Sequence, residues 1–262
     1  MADAIFSAGE DGRFAPSEHA RGPWDPQALH GGAPAALITR AFEQLQADSP
    51  LVFARLNFEF LAPVPLAPLA LATEVVRDGR RVQQLAGELR SQERLVCRAS
   101  ALRVQAVPDG LPAHGPEAAE PLPGPEQGRI ARFALNDSAT SGLATTGMEM
   151  SWLEDPGKPG PGRVWMRMRR PLLGDETASP LASMVAVADF GNGISAELPF
   201  AQYLFINADL SIHLWRRPAG EWIGLSGRTL LQAGGVGVAE SVLYDIEGPV
   251  ARAMQTLVVQ AR

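Results

Sequence analysis

The sequence is short of the residues that mark several common kinds of protein. It has one cysteine, Cys97, so no intrachain disulfide can form, and this residue lies in an alternating apolar run where packing is the ordinary role. It has no Lys/Arg cluster, and its formal net charge is -6, which argues against nucleic acid as a partner. No stretch approaches 18 uninterrupted apolar residues, so no membrane span is expected. The opening MADAIFSAGEDGRF lacks a basic segment followed by an apolar one, so no secretory signal is evident and the cytoplasm is the default location. No G-x-S-x-G elbow is present, which disfavours a serine esterase. The four histidines, His19, His30, His114 and His213, show no metal-ligand spacing, and neither a metal nor a cofactor is implied. GGVGVAE lacks the Lys-Ser/Thr end of a phosphate loop.

What remains is an ordinary globular composition, 46% hydrophobic and 20% charged. Within it lies a faint internal duplication. Ala54 to Gln105 can be laid over Ala208 to Val259 at a constant offset of 154, which puts Leu56 on Leu210, Val96 on Val250, Arg98 on Arg252 and Ala99 on Ala253. Certain polar residues do not repeat. Asp189, Asn207 and Gln255 stand opposite Ala35, Phe53 and Ala101. A duplicated scaffold with an acid and two amides in one copy points to a single working site.

The first copy starts with Gly31-Gly32 and the helical spacing of APAALITRAFEQL, whose Pro34 suits a first turn. LVFARLNFEF then alternates, with Leu56, Phe58 and Phe60 on one face and Arg55, Asn57 and Glu59 on the other. Strands are expected at 69–77, 80–92 and 95–107, with Asp78-Gly79 as a hairpin turn. Residues 108–126 are rich in Pro, Gly and Glu and read as a linker. In the second copy, strands are expected at 148–153 and 164–170. Ser179 to Asp189 stands where the first copy has its helix, and Phe190-Gly191-Asn192-Gly193 reads as a turn. Strands follow at 203–215, 221–231, 234–245 and 249–260. This is an α+β chain of three parts: residues 1–107, a linker and lead-in at 108–144, and 145–262. Each half is an antiparallel meander around a helix, and the halves can join edge to edge.

Three stretches carry a family resemblance: His30-Gly31-Gly32 before the first helix, Val187-Ala188-Asp189 at the end of the second, and Ala253-Met254-Gln255 in the last strand. In their order and spacing the chain resembles the TesB-like acyl-CoA thioesterases. The resemblance implies a double hotdog, two tandem helix-wrapped antiparallel sheets joined into one. It implies hydrolysis of an acyl-CoA thioester by water held by an aspartate, a hydroxyl residue and a glutamine. Asp189 and Gln255 match that set, and the hydroxyl position falls on Asn207, a departure that keeps a hydrogen-bonding group.

The residues suit such chemistry. A carboxylate next to water can act as general base, and Asp189 follows a wholly apolar run. Gln255 shares a strand face with Ala253 and Leu257, so its amide must find partners. Backbone N–H groups at Gly31 and Gly32 can receive the oxyanion, with His30 beside them as a substrate-site candidate. Arg80-Arg81 and Arg216-Arg217 are candidates for the phosphates of coenzyme A. Phe58, Phe60, Met148 and Leu210 could line an acyl tunnel. A hydratase is disfavoured, because FGNGIS after Asp189 supplies no histidine. The remaining alternative is a non-catalytic double hotdog that binds an acyl thioester or another hydrophobic ligand. Larger assembly is common in such folds, which makes a homodimer an expectation.

Overall fold

The computed structural model describes residues 3–106, 121–133 and 140–262. The first half contains β1 (Phe6–Ala8), β2 (Phe14–Pro16), α1 (Gly32–Gln44), β3 (Leu51–Phe60), β4 (Leu69–Asp78), β5 (Val82–Ser91) and β6 (Arg94–Gln105). The second contains β7 (Arg129–Ile130), β8 (Met148–Trp152), β9 (Gly162–Met168), α2 (Pro180–Ala188), α3 (Gly191–Ile194), β10 (Tyr203–Asn207), β11 (Asp209–Leu214), β12 (Ile223–Leu231), β13 (Val236–Asp245) and β14 (Gly248–Ala261). All strands belong to one 14-stranded antiparallel sheet in the order β1-β2-β4-β5-β6-β3-β11-β14-β13-β12-β9-β8-β7, with β10 also paired to β14. This is a double hotdog. The two halves meet where β3 pairs with β11.

The offset read from the sequence is the symmetry operator of the fold. Added to the bounds of β5, it gives those of β13. At the β3–β11 seam Asn57 pairs with Ser211, its own equivalent, while Leu56 pairs with Ile212 and Phe58 with Leu210. A pseudo-twofold axis therefore passes between Asn57 and Ser211. The helices obey the same axis. A Cβ on Gly32 would lie 2.5 Å from the carbonyl oxygen of Ala186, again its own equivalent. Only a glycine permits that crossing, so α1 and α2 touch backbone to backbone at the dyad.

Both copies are interrupted at the same place. In β3 the register slips between Phe53 and Arg55, leaving Ala54 unpaired. At the equivalent Ala208 the expected strand 203–215 divides into β10 and β11. A bulge re-aims the side chains before it. Without one, Asn207 would point away from Leu210 and Ile212; with it, both Asn207 and these core residues face the helices.

The core lies between the sheet and the helices. α1 buries an almost continuous run from Gly32 to Thr39, then Phe42. Gly87 lets it approach, since a Cβ there would lie 3.1 Å from Phe42 and 3.3 Å from Ile38. α2 is apolar apart from Ser183, and its eight residues from Leu181 to Ala188 are buried, as expected of a helix enclosed by neighbours. Ser179 caps it, accepting from the Ala182 N–H at 3.0 Å, with Pro180 in its first turn. Of the linker, residues 108–120 and 134–139 lie outside the described residues. The part between is laid on the sheet edge: Trp165 Nε1 donates to Pro123 O at 2.6 Å, and Trp152 Nε1 to Ala131 O at 3.1 Å.

One local expectation needs correction. Phe190 to Gly193 is not a simple turn. After Asp189 (φ -71°, ψ -8°) and Phe190 (φ -84°, ψ -1°) the chain tightens, then resumes as α3. Two glycines weaken the helical signal, but Gly191 and Ile194 pack onto the sheet, and tertiary contact overrides the local preference.

Candidate functional site

Asp189 is the C-cap of α2, one turn beyond the helix crossing. By the pseudo-twofold, residues just after Ala186 lie against residues just before Gly32. This is why an acid from the second half meets the His30-Gly31 entry of α1 in the first. Only 2% of the Asp189 side chain is exposed. Its Oδ2 lies 2.8 Å from His30 Nδ1. Its Oδ1 accepts from Asn207 Nδ2 at 2.5 Å and from Gln255 Nε2 at 3.0 Å. Gln255 Nε2 also donates to the Asp189 carbonyl at 3.1 Å. The fold therefore brings Asp189, Asn207, Gln255, His30 and Gly31 to one point.

Each partner is itself held. Gln255 is 2% exposed, on the inward face of β14 with Ala253 and Leu257. Its Oε1 accepts the Asn192 N–H at 3.2 Å, which orients the amide with Nε2 toward the acid. The His30 ring stacks on Phe190 with centroids 4.2 Å apart. The Gly32 N–H donates to the same Nδ1 at 3.2 Å. A Cβ on Gly31 would stand 2.9 Å from Asp189 Oδ2 and 2.9 Å from the Phe60 ring. Among the described residues the Gly31 N–H makes no backbone hydrogen bond. Gly32, in contrast, serves the helix crossing.

Other sequence candidates fall elsewhere. Arg216 is committed to structure: it forms a bidentate pair with Asp245 at 2.5 Å and donates to the carbonyls of Pro249 and Gly248. Burial alone would raise the Asp245 pKa, but Arg216 and the N–H groups of Ala219 and Glu247 outweigh it and hold the carboxyl below its ordinary range. Arg80 and Arg81 are exposed at the β4–β5 turn. Phe58, Met148 and Leu210 are core residues, and of the four tunnel candidates only Phe60 abuts Gly31. Cys97 is fully buried, and its thiol is pushed up to about 12, chiefly by burial, with the charges of Glu59 and Asp189 adding. Among the described residues no group of three or more His, Cys, Asp or Glu is placed to hold a metal. None of their helices is long and apolar enough to cross a membrane.

Sequence reasoning missed a wider polar layer. Asn192, Ser195, Thr229 and Ser241 are all buried beneath or beside α3. Ser195 Oγ contacts Thr229 Oγ1 at 2.8 Å and donates to Gly191 O at 2.8 Å. The same offset would have found them, since their equivalents are Ile38, Ala41, Val75 and Gly87. At these four positions the second half keeps hydrogen-bonding groups where the first keeps apolar ones or none. An aromatic wall adjoins this layer: Phe205, two residues before Asn207, packs on Phe200 at 5.4 Å, which packs on Trp24 at 5.4 Å.

Comparisons with known proteins agree with this architecture. No curated protein matches the sequence. Among solved structures, a protein with a hot dog fold from Alicyclobacillus acidocaldarius superposes with a TM-score of 0.74 at 16% identity, over 97% of this chain and 96% of that one. The tesB protein of Mycobacterium avium subs. paratuberculosis gives 0.66 at 15% identity, over 95% and 92%. The acyl-CoA thioesterase II TesB2 of Mycobacterium marinum gives 0.62 at 18% identity, over 90% of each chain. At such identities these likenesses show the fold. The family profile described as the acyl-CoA thioesterase N-terminal domain matches residues 20–104, and that described as the C-terminal domain matches residues 108–259. Together they span both halves and the seam between them, and the chain belongs to this acyl-CoA thioesterase family.

Proposed function

We propose that this chain hydrolyses an acyl-CoA thioester to the free acid and coenzyme A, with Asp189 activating the attacking water. The observation that carries the reading is the buried carboxylate at the seam of the two halves, bonded by Asn207 and Gln255 and close against Gly31, whose N–H makes no backbone hydrogen bond among the described residues. The thioester carbonyl accepts from the Gly31 N–H. Asp189 takes a proton from the water as its oxygen bonds to the carbonyl carbon, and negative charge gathers on the carbonyl oxygen, where a fixed N–H dipole stabilises it. The tetrahedral adduct collapses by breaking the C–S bond. The proton on Asp189 passes to the departing thiolate, which restores the carboxylate.

Asn207 and Gln255 hold the acid, and the second N–H of the Asn207 amide is left to meet the water, both N–H groups of Gln255 being spent on Asp189. The 2.8 Å contact gives His30 a place in the scheme. It fixes the carboxylate from the first half as Asn207 and Gln255 fix it from the second. The same contact favours one variant reading, in which His30 is the base and Asp189 orients it, as an aspartate orients histidine in a catalytic triad.

Thiol release from a panel of short, medium, long and aromatic acyl-CoAs, with wild type, Asp189→Asn and His30→Ala, tests both. With Asp189 as base, the asparagine variant loses at least ~100-fold in kcat and His30→Ala loses less. Equal losses in the two variants move the base to His30. No release by wild type on any substrate refutes the hydrolase reading in favour of ligand binding alone.

A further inference from the structure

Asn192 is marked by an unmet need. It is 5% exposed, and its side-chain Oδ1 is buried with no hydrogen-bond partner among the described residues. One other buried side-chain atom among them is in this condition, Arg103 Nε, whose guanidinium is otherwise bonded to Phe42 O, Leu45 O and Gln83. A buried acceptor without a donor costs roughly 1–3 kcal/mol. Native folds leave few such groups, and a group left unpaired in a site calls for a partner that arrives with function.

Its position says which partner. The Asn192 N–H donates to Gln255 Oε1, and Gln255 Nε2 holds Asp189, so one amide separates Asn192 from the acid. Within α3, Gly191 and Ile194 face the sheet against Ser241 and Gly227, while Gly193 lies under Phe133. Ser195 reaches Thr229 on the sheet side. Helical residues are spaced by about 100°, so Asn192 leaves the helix sideways, between the sheet-facing row and Phe133. Packing does not demand an amide there. The equivalent residue, Ile38, is a fully buried aliphatic.

We propose that Asn192 is a further residue of the site, whose Oδ1 accepts a hydrogen bond from the hydrolytic water. The inference rests on the hydrolase reading. The water has two O–H bonds. One points to Asp189, which removes that proton; the other, held by Asn192, turns the oxygen lone pair toward the thioester carbon. The gain is orientational, and orientation of a nucleophile is reflected in kcat.

Asn192→Leu and Asn192→Ala, assayed beside wild type and Asp189→Asn, test this, with thermal melting as the second readout. Both variants should lose about 10- to 100-fold in kcat with KM within about threefold. Asn192→Leu should melt at or above the wild-type temperature, because it removes an unpaired buried acceptor. Stability kept while turnover falls is a pattern that a packing residue does not give. Wild-type turnover in both Asn192 variants, with Asp189→Asn inactive, overturns the inference and leaves the hydrolase reading standing. A change confined to KM overturns the assignment to water and places a substrate N–H on Asn192 instead. A loss matched by a lower melting temperature reduces Asn192 to a structural residue. Wild type without thiol release overturns both readings together.

Discussion

Gly31→Ala sets two effects against each other, and the structure says which wins. The Gly31 backbone lies in the right-handed helical region (φ -57°, ψ -27°), where alanine is at home. Alanine also restricts the unfolded chain, which by itself stabilises by about 0.4–1 kcal/mol. Against this, the new Cβ would sit 2.9 Å from Asp189 Oδ2, 3.3 Å from Oδ1 and 2.9 Å from Phe60 Cζ. Each short contact needs a shift of about half an ångström, and overpacking of this kind costs about 1–3 kcal/mol. The ring of Phe60 can give, whereas the carboxylate is held by His30, Asn207 and Gln255. The steric cost therefore falls on the site, and the net loss of stability is at most about 2.6 kcal/mol, or roughly 5–10 °C in Tm for a chain of this size. Misplacing a catalytic group by a fraction of an ångström to one ångström costs up to about 100-fold, so kcat should fall by about 10- to 100-fold in a folded protein. Gly32→Ala is the control. Its Cβ would meet the Ala186 carbonyl at 2.5 Å, backbone against backbone, so that variant should lose stability first, seen as a lower Tm or poor folding. Thiol-release kinetics and thermal melting on both variants decide. Wild-type kcat in Gly31→Ala would refute the placement of the acyl group between Gly31 and Asp189.

Three further outcomes follow from the geometry. Cys97, with its thiol pushed up to about 12, should resist a thiol-specific aromatic disulfide reagent at pH 8 in the native protein and react with one equivalent on denaturation; fast native reaction refutes its burial. Asp245 has a folded-state pKa below its unfolded one, so its contribution to stability is present above the unfolded value and is lost as pH falls through the folded one. Asp245→Asn should accordingly destabilise at pH 7, with the gap from wild type closing in acid, and a gap independent of pH in denaturant titrations would refute the pairing. Arg103 donates to the carbonyls of Phe42 and Leu45 at the end of α1, and Arg103→Met should lower stability by about 3 kcal/mol while kcat per folded molecule is unchanged, because its hydrogen bonds among the described residues go to Phe42, Leu45 and Gln83 and not to the site.

Much of the architecture was legible because it is written in short-range patterns. Alternation in LVFARLNFEF fixes which face of β3 is buried, since successive strand residues point to opposite sides, and Leu56 and Phe58 are indeed buried. The Asp78-Gly79 dipeptide marks the β4–β5 hairpin. A constant offset between two halves marks a symmetric scaffold, and the same comparison isolates Asp189, Asn207 and Gln255 as residues that the scaffold alone does not require. The bulge at Ala208 was not legible. Nothing in FINADLS announces it, and it exists because β10 and β11 must both pair with β14 while the inward face is kept on either side. The short helix α3 was hidden by its glycines for the same reason: local preference is weak, and contact with Gly227 and Gly162 decides the conformation.

By itself, then, the sequence determined the periodic elements, the duplication and the half that keeps its polar groups, because these depend on residue type and spacing along one chain. Only the tertiary structure decided what those groups do to one another. His30 and Asp189 are remote in sequence, yet α1 and α2 cross at Gly32 and Ala186 and bring them to 2.8 Å. Asn192 reads as a turn residue until the packing of α3 buries it beside Gln255 with an acceptor unfilled. Such facts depend on distances across the dyad and on which polar atoms water can no longer reach. Those are properties of the folded packing, and no local pattern encodes them.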